Sequence, residues 1–437
     1  VSYRPVDLVE VWAWGQRVGA VAPDPTTGVY VFAFTPEWVA RDVELSPLVM
    51  PLRREPYAFP ELPERTFYGL PALLADALPD AFGNALVNAW MAEQGVPLGS
   101  ISPLDRLAYA SDRALGALEF RPPARDAHGE PPTAIALADL VQAARLTVHG
   151  EFASDETARA ALQQLIQVGT SAGGARAKAV VAFNPKTYQV RSAYAPDEVG
   201  FEQWLIKLDG VSSTGLNGHG DGLGESAPYG RIEFAYSLMA TDAGITMSEC
   251  RLLDEGPRRH FMTRRFDRPA GGGKRHLLSL CAMANLDFNL IGTHSYDQLF
   301  GVITALSLGP EALEQAYRRM AFNVAGANHD DHTKNFAFLA TPEGDWSLAP
   351  AFDVTHAYRP DSKWTSRHLM SVNGRFEEIS LDDLYAVGER HSVPGYRRLT
   401  REVLAAVDAW QSYALSAEVP EKVTAAIASD LDRFRPR

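Results

Sequence analysis

Apolar and polar positions alternate along VDLVEVWAW, pause at a Gly-Gln turn, and resume in GVYVFAF, so residues 6–34 are expected to form strands rich in aromatic and β-branched side chains. TPEWVA then starts a short helix, with Thr35 as N-cap and Pro36 in the first turn. GLPALLADALPDAFGNALVNAWMAEQG has a helical pattern broken at Pro79, and RALGALEFRP reads as a strand. RPPARDAHGEPPT has no apolar period and reads as a linker. Two helices follow, ALADLVQAARLT and ASDETARAALQQLIQ. Three strands come next, AKAVVAFNP, TYQVRSAY and FEQWLIKLDG. A Gly-rich loop, VSSTGLNGHGDGLGESAPYG, leads into an amphipathic helix, RIEFAYSLMATDAG, and then into the strand pair CRLLDEGPRRHFMTRRFD. Beyond residue ~270 the pattern is mainly helical, except for a hairpin made of NFAFLA and DWSLAPAF.

This order predicts an α+β fold in four parts: an N-terminal α+β subdomain (1–121), a linker (122–133), a second α+β region (134–268) and a mainly helical lobe (269–437). The last two resemble the two lobes of a protein kinase. Composition changes little in this picture. Hydrophobic residues make up 46% of the 437 and charged residues 22%, ordinary values for a globular chain. Two cysteines, Cys250 and Cys281, are too few for a disulfide framework or a four-cysteine zinc site. No run reaches the ~18 apolar residues of a membrane helix, and the start lacks a signal-peptide layout, so a cytoplasmic protein without membrane contact is expected. The net charge of −13 argues against autonomous binding to DNA.

The richest chemistry lies in ANHDDHTKNFAFLATPEGDWSLAPAFDVTHAY. Phosphoryl transfer needs a carboxylate to orient the attacking hydroxyl, an amide and a second carboxylate on Mg²⁺, and a lysine on the phosphates. Kinases write the base and the metal-binding asparagine as D-x-x-x-x-N. Asp330 and Asn335 have that spacing, and Asp353 returns after the hairpin as a second Mg²⁺ ligand. Asp331 is the competing base; the spacing selects Asp330 and leaves Asp331 to point elsewhere or to position His332. His332 is expected to hydrogen-bond within the loop and His329 to face solvent. A solvated acidic turn, with Asn335 and Asp353 as caps, is the plainer alternative.

Three further segments are weaker. VGTSAGGARAKAVVAF is a Gly-rich turn before a strand, where backbone N–H groups can converge on phosphate. It is not a Walker A loop, because Ala175 stands where lysine is required. In WLIKLDG, Lys207 is a charge in an apolar strand, with Glu233 as candidate partner. TRRFDRP could offer backbone groups to an adenine edge, or be an ordinary strand with exposed arginines.

Together WGQRVGAV, FAFTPEWV, LADALPD, SDRALGALEF, TSAGGARAK, WLIKL, RRFDR, DDHTKNF and LAPAFDV resemble the HipA family, the kinase half of bacterial HipA–HipB toxin–antitoxin modules. The resemblance implies a protein Ser/Thr kinase using ATP and Mg²⁺. It implies autophosphorylation of Ser171 (Thr170 is adjacent), and a loop of Ala172, Gly173, Gly174, Ala175, Arg176, Ala177 and Lys178 over the nucleotide phosphates. Lys207 would contact the phosphates, and Arg264, Arg265 and Phe266 would supply the adenine-side backbone. Asp330 would be the base, His332 to Asn335 the rest of the catalytic loop, and Asp353 the second metal ligand. Implied partners are a helix-turn-helix antitoxin of the HipB type, operator DNA through that antitoxin, and a protein substrate such as an aminoacyl-tRNA synthetase. Departures are GGARAK in the loop, Arg264 for an expected Glu, and Asp331 for an expected Gly.

Two other functions compete. One is a metal-dependent phosphohydrolase using His329, Asp330, Asp331 and His332, with His294, His356 and His260 as further ligands. The other is a catalytically weak kinase fold serving as a corepressor.

Overall fold

The computed structural model describes residues 5–79, 81–93, 95–122, 177–193, 199–209, 228–256, 258–269 and 271–437. The chain adopts the expected α+β architecture. It divides into two compact units, one gathering 1–218, 264–278 and 339–345, the other 219–263, 279–338 and 346–437. The linker, the two helices placed between residues 134 and 168, Thr170 to Arg176, and the Gly-rich loop at 211–227 lie outside the described residues.

In the first unit the alternation at the N-terminus becomes an antiparallel sheet in the order β4-β3-β2-β1-β5, made of β1 (Val9–Ala13), β2 (Gln16–Pro23), β3 (Tyr30–Phe34), β4 (Tyr57–Ala58) and β5 (Leu118–Arg121). Val9, Val11 and Ala13 turn inward and are fully buried, as a period of two requires. Thr35 caps the helix Pro36–Arg41 by accepting the Trp38 N–H, as its sequence suggests. Chain-distant residues close this unit. The Trp14 indole donates to Lys274 O at 2.7 Å. The buried Asp267 accepts from Gly116 N (2.7 Å) and pairs with Arg265 (2.6 Å) and Arg268 (2.8 Å). Burial alone would raise the Asp267 carboxyl; the two guanidinium groups outweigh it and hold it well below the usual carboxylate range.

The same unit contains three antiparallel strands, β6 (Lys178–Phe183), β7 (Val190–Ser192) and β8 (Glu202–Lys207), in the order β7-β6-β8. Lys178 stands directly opposite Lys207.

The second unit begins with the helix Tyr229–Asp242 and the hairpin of β9 (Cys250–Glu255) and β10 (Arg258–Arg264). Gly230 lets the helix lie against that hairpin, because a Cβ there would meet Arg259 O at 2.4 Å. The rest is helical, as expected, with Gly309–Ala325 as its longest helix and Met320, Phe322 and Ala325 in its buried face. The hairpin of β13 (Ala337–Ala340) and β14 (Trp346–Leu348) is also present. Short strands missed in the sequence are β11 (His276–Ser279) and the parallel contact of β12 (His294–Ser295) with β15 (Met370–Ser371). Two or four residues are too few for a period to register. Among the described residues no helix is long and apolar enough to cross a membrane.

Candidate active site

The loop between the helix Gly309–Ala325 and β13 is not a solvated turn. His329 and Asp331 are 2% and 1% exposed, and Thr333 is fully buried. Asp330 alone of the three acidic and imidazole residues 329–331 keeps an accessible side chain, 38% exposed. Its Oδ1 accepts the Trp364 indole N–H at 2.6 Å, and His332 Nε2 lies 3.7 Å from the same oxygen.

Asn335 is tied to this residue through the backbone: its Nδ2 donates to Asp330 O at 2.8 Å. A carbonyl can only accept, so the amide orientation is fixed, and Oδ1 is the end left to act as a ligand. His332 organises the loop by accepting the Lys334 N–H on Nδ1 at 3.2 Å and Asn335 N–H on its carbonyl at 2.9 Å. The expected hydrogen-bonding role of His332 is therefore observed.

Asp353 follows β14 and lines one cavity together with Asn335, Asp331, Asn323 and Asn328. Its backbone is left-handed (φ +53°), an unfavourable conformation for a non-glycine residue that a surrounding structure must enforce. Arg319 also borders the cavity, and its Nη2 donates to Ala349 O at 2.7 Å, bracing the segment that carries Asp353. Burial lowers its pKa to about 9. An amide oxygen and a carboxylate on one cavity suit a hard cation such as Mg²⁺, which keeps several waters and takes few protein ligands.

His329 corrects an expectation, being enclosed rather than solvent-facing. Its ring packs on Phe434 (4.7 Å), His368 (4.2 Å) and Tyr358 (5.2 Å), and Nδ1 donates to Thr365 O at 3.2 Å. Burial, reinforced by repulsion from His368, lowers its pKa to about 2, so it is neutral. Asp331 turns away from His332. It accepts from Tyr296 Oη (2.8 Å), His368 Nδ1 (2.9 Å) and Leu369 N (2.7 Å). The other imidazoles are spent separately, His294 on Asp287 O and His356 on Asp430. Among the described residues no group of three or more His, Cys, Asp or Glu is placed to hold a metal ion.

Three successive residues therefore grip one segment, 357–370. His329 takes it at Ala357 and Thr365, Asp330 at Trp364, and Asp331 at His368 to Met370. Sequence reasoning missed Trp364, His368 and Tyr296; the only local signal is a tryptophan within the polar stretch PDSKWTSRH.

The remaining candidates lie in the first unit, except Glu233. Lys178 is 3% exposed and Lys207 is half-buried at the end of β8. Glu233 is buried in the helix Tyr229–Asp242 of the second unit. Arg264 pairs with Glu202 (3.4 Å), and the Arg265 N–H donates to Gln203 O (2.9 Å). The Arg265 side chain is buried on Asp267, so the arginines here do not form an exposed face. Ala177 is buried beside β6; the rest of the Gly-rich loop lies outside the described residues.

The fold and this acidic loop define an α+β protein of the HipA type. Residues 9–121 match the HipA N-terminal domain and residues 170–429 the HipA-like C-terminal domain, so the chain belongs to the HipA family. Among solved structures, it is similar to HipA of the Shewanella oneidensis MR-1 toxin–antitoxin system, solved with HipB and its operator DNA. The TM-score is 0.62 at 15% identity, over 98% of this chain and 95% of that one. A fainter similarity, TM-score 0.29 at 11% identity, joins 52% of this chain to 92% of the Helicobacter pylori proinflammatory kinase CtkA, and carries no weight for the fold. No curated protein matches the sequence.

Proposed function

We propose that the chain is an ATP- and Mg²⁺-dependent protein Ser/Thr kinase, the toxin of a toxin–antitoxin pair. One observation carries the assignment: Asn335 is bonded to the Asp330 carbonyl while sharing a cavity with Asp353, and Asp330 keeps an accessible carboxylate. That grouping supplies what phosphoryl transfer needs.

Asp330 orients a Ser or Thr hydroxyl and accepts its proton. The hydroxyl oxygen forms the new O–P bond as the bond from the γ-phosphorus to the bridging oxygen breaks, and that oxygen leaves with the electron pair on ADP. Asn335 Oδ1 and the Asp353 carboxylate, which line one cavity, would hold Mg²⁺, and the ion would supply positive charge for the phosphates. Lys207, at the end of β8, binds the phosphate chain. The loop 172–178 covers the phosphates, and backbone groups of Arg264, Arg265 and Phe266, other than the Arg265 N–H, receive the adenine. Ser171 is the autophosphorylation site. In this reading residues 1–121 are the HipA-like N-terminal subdomain, 122–133 a linker, 134–268 the kinase N-lobe and 269–437 the catalytic lobe.

The partner is a HipB-type helix-turn-helix antitoxin that carries the complex to operator DNA. A net charge of −13 suits a basic DNA-binding partner better than DNA itself. The substrate is a translation protein of the aminoacyl-tRNA synthetase class. The dispersal of His294, His329 and His356 onto separate partners disfavours a phosphohydrolase.

The test is intact-mass analysis after incubation with Mg-ATP, with peptide mapping over 169–178. One phosphoryl group on Ser171, absent in Asp330→Gln and Asp353→Asn, is the expected result. Full phosphorylation in both variants would remove the assignment. Binding of ATP without any transfer would favour a corepressor.

A further inference from the structure

We infer that Trp364 is a positioning residue for Asp330: its indole N–H holds Oδ1 and so sets the direction in which the carboxylate faces the substrate hydroxyl. The inference deepens the kinase assignment and rests on Asp330 being its base.

The contact is suited to this task. At 2.6 Å the indole N–H is in direct hydrogen-bond contact with Oδ1. An indole N–H donates only and does not titrate, so Trp364 cannot take the proton in place of Asp330. A lysine or histidine at that point would compete for it. His332 Nε2 is too far from Oδ1, at 3.7 Å, to fix the carboxylate by itself.

The indole is itself held from two directions. Its ring meets Phe288 at 6.3 Å and His332 at 6.0 Å, and those two rings meet each other at 5.6 Å, so the three form one aromatic group around the carboxylate. Its backbone sits in a closed turn. Ser362 Oγ accepts from Trp364 N (3.1 Å) and Thr365 N (3.2 Å), and Thr365 O accepts from Arg359 N (3.2 Å). The same Thr365 O is gripped by His329, the residue preceding Asp330. Base and donor therefore share one rigid connection, and a carboxylate with one oxygen anchored loses rotational freedom about its terminal bond. A packing role would need only the ring. A positioning role needs the N–H.

The experiment uses the full chain labelled with ¹⁵N at its eight tryptophan indoles. Trp364→Phe keeps a ring and removes the N–H, so the cross-peak it loses is that of Trp364. The expected result is that Asp330→Asn displaces this cross-peak and leaves those of distant tryptophans in place. In parallel, phosphoryl transfer by Trp364→Phe should fall roughly 10–100-fold in kcat, the scale of a small misplacement of a reacting group, with KM for Mg-ATP within about 2-fold. If Trp364→Phe does not fold, Ser362→Ala, which loosens the turn, should give a smaller kcat loss of the same kind. A Trp364 cross-peak indifferent to Asp330→Asn, or a kcat unchanged in Trp364→Phe, overturns the inference and leaves the kinase assignment intact. If Asp330→Asn displaces the cross-peak but the wild-type chain transfers no phosphoryl group, the kinase assignment is overturned instead.

Discussion

The Asp331 carboxylate accepts the Nδ1–H of His368 at 2.9 Å across 37 residues of chain, with neither side chain more than 4% exposed. Tyr296 Oη and Leu369 N donate to the same group, and Asn323 Nδ2 donates to Tyr296 Oη in turn. The donors arrive from two separate stretches, so this carboxylate fastens its loop to 368–369 and to the helix at 296. Its neighbour Asp330 stays 38% exposed and accepts the Trp364 indole N–H.

Asp331→Asn should therefore be costly although it changes little in size. The amide would turn hydrogens toward groups that already donate, and buried donors would go unmatched. A loss of roughly 2–4 kcal/mol is expected. Thermal melting of the variant beside Asp330→Asn checks it. The Asp330 change should cost less, because that group keeps contact with water and an amide oxygen can still accept the Trp364 N–H.

Stability should fall as the solution is acidified from pH 7. Burial lowers His329 from 6.5 to about 2, and burial lowers His276 from 6.5 to about 4, with its bond to Leu45 O offsetting part of the effect. Below pH ~6.5 the unfolded chain binds protons at both positions while the folded chain does not. The stability their neutral forms permit is complete above the unfolded pKa. It is lost on acidification, at up to about 1.4 kcal/mol per pH unit for each group. For His276 the loss ends near its folded value of about 4. His329→Phe should melt earlier at pH 8, having lost its bond to Thr365 O, yet show a shallower decline of Tm between pH 7 and 5. An equal slope in both proteins would contradict the neutral, enclosed state of this ring.

How much of this was legible in the sequence depends on range. The strands at 9–34 are written as alternation, the helix after Thr35 as a cap and a proline, and the loop as the spacing from Asp330 to Asn335; all three are local signals. The burial of His329 was not local. HDDH is polar in every residue, and what covers the ring includes Phe434, at the end of the helix Glu421–Phe434. Arg265 was open for a similar reason. RRFDR allows either exposed arginines or a backbone role, and the burial of Arg265 against Asp267 inside the first unit is not written locally. Trp364 reaches Asp330 across 34 residues, beyond any periodicity.

Mg-ATP should raise the melting temperature of the wild-type chain, by about 2.7 kcal/mol of added stability at 100 times Kd. With Asp353→Asn or Asn335→Leu, the part of the shift that depends on Mg²⁺ should shrink to near that seen with ATP and a chelator. Both positions line the same cavity and are the proposed Mg²⁺ ligands. A full Mg²⁺-dependent shift in each would place the cation elsewhere.

Gly230 and Gly301 should respond in opposite directions to alanine. At Gly230 a Cβ would lie 2.4 Å from Arg259 O and 3.2 Å from Phe261 N, so Gly230→Ala must push the helix carrying Glu233 off the hairpin β9–β10, at a cost of about 1–3 kcal/mol. At Gly301, exposed inside the helix Tyr296–Ala305, a Cβ meets nothing within 4 Å. Gly301→Ala should add roughly 0.5–1 kcal/mol. Equilibrium unfolding of the two variants decides.

The composition of the first unit from three stretches of chain has a consequence for biosynthesis. Leu45 waits for His276, Gly116 for Asp267, and Arg41 for the carbonyl of Pro342. At about 5–20 residues per second, a ribosome needs on the order of 15–60 s to travel from Arg41 to Pro342. For that interval the N-terminal sheet is on show with its last bonds unmade. Nascent chains halted before residue 264 lack Asp267, His276 and Pro342 alike, and those stalled after 345 are the first that can carry the unit complete.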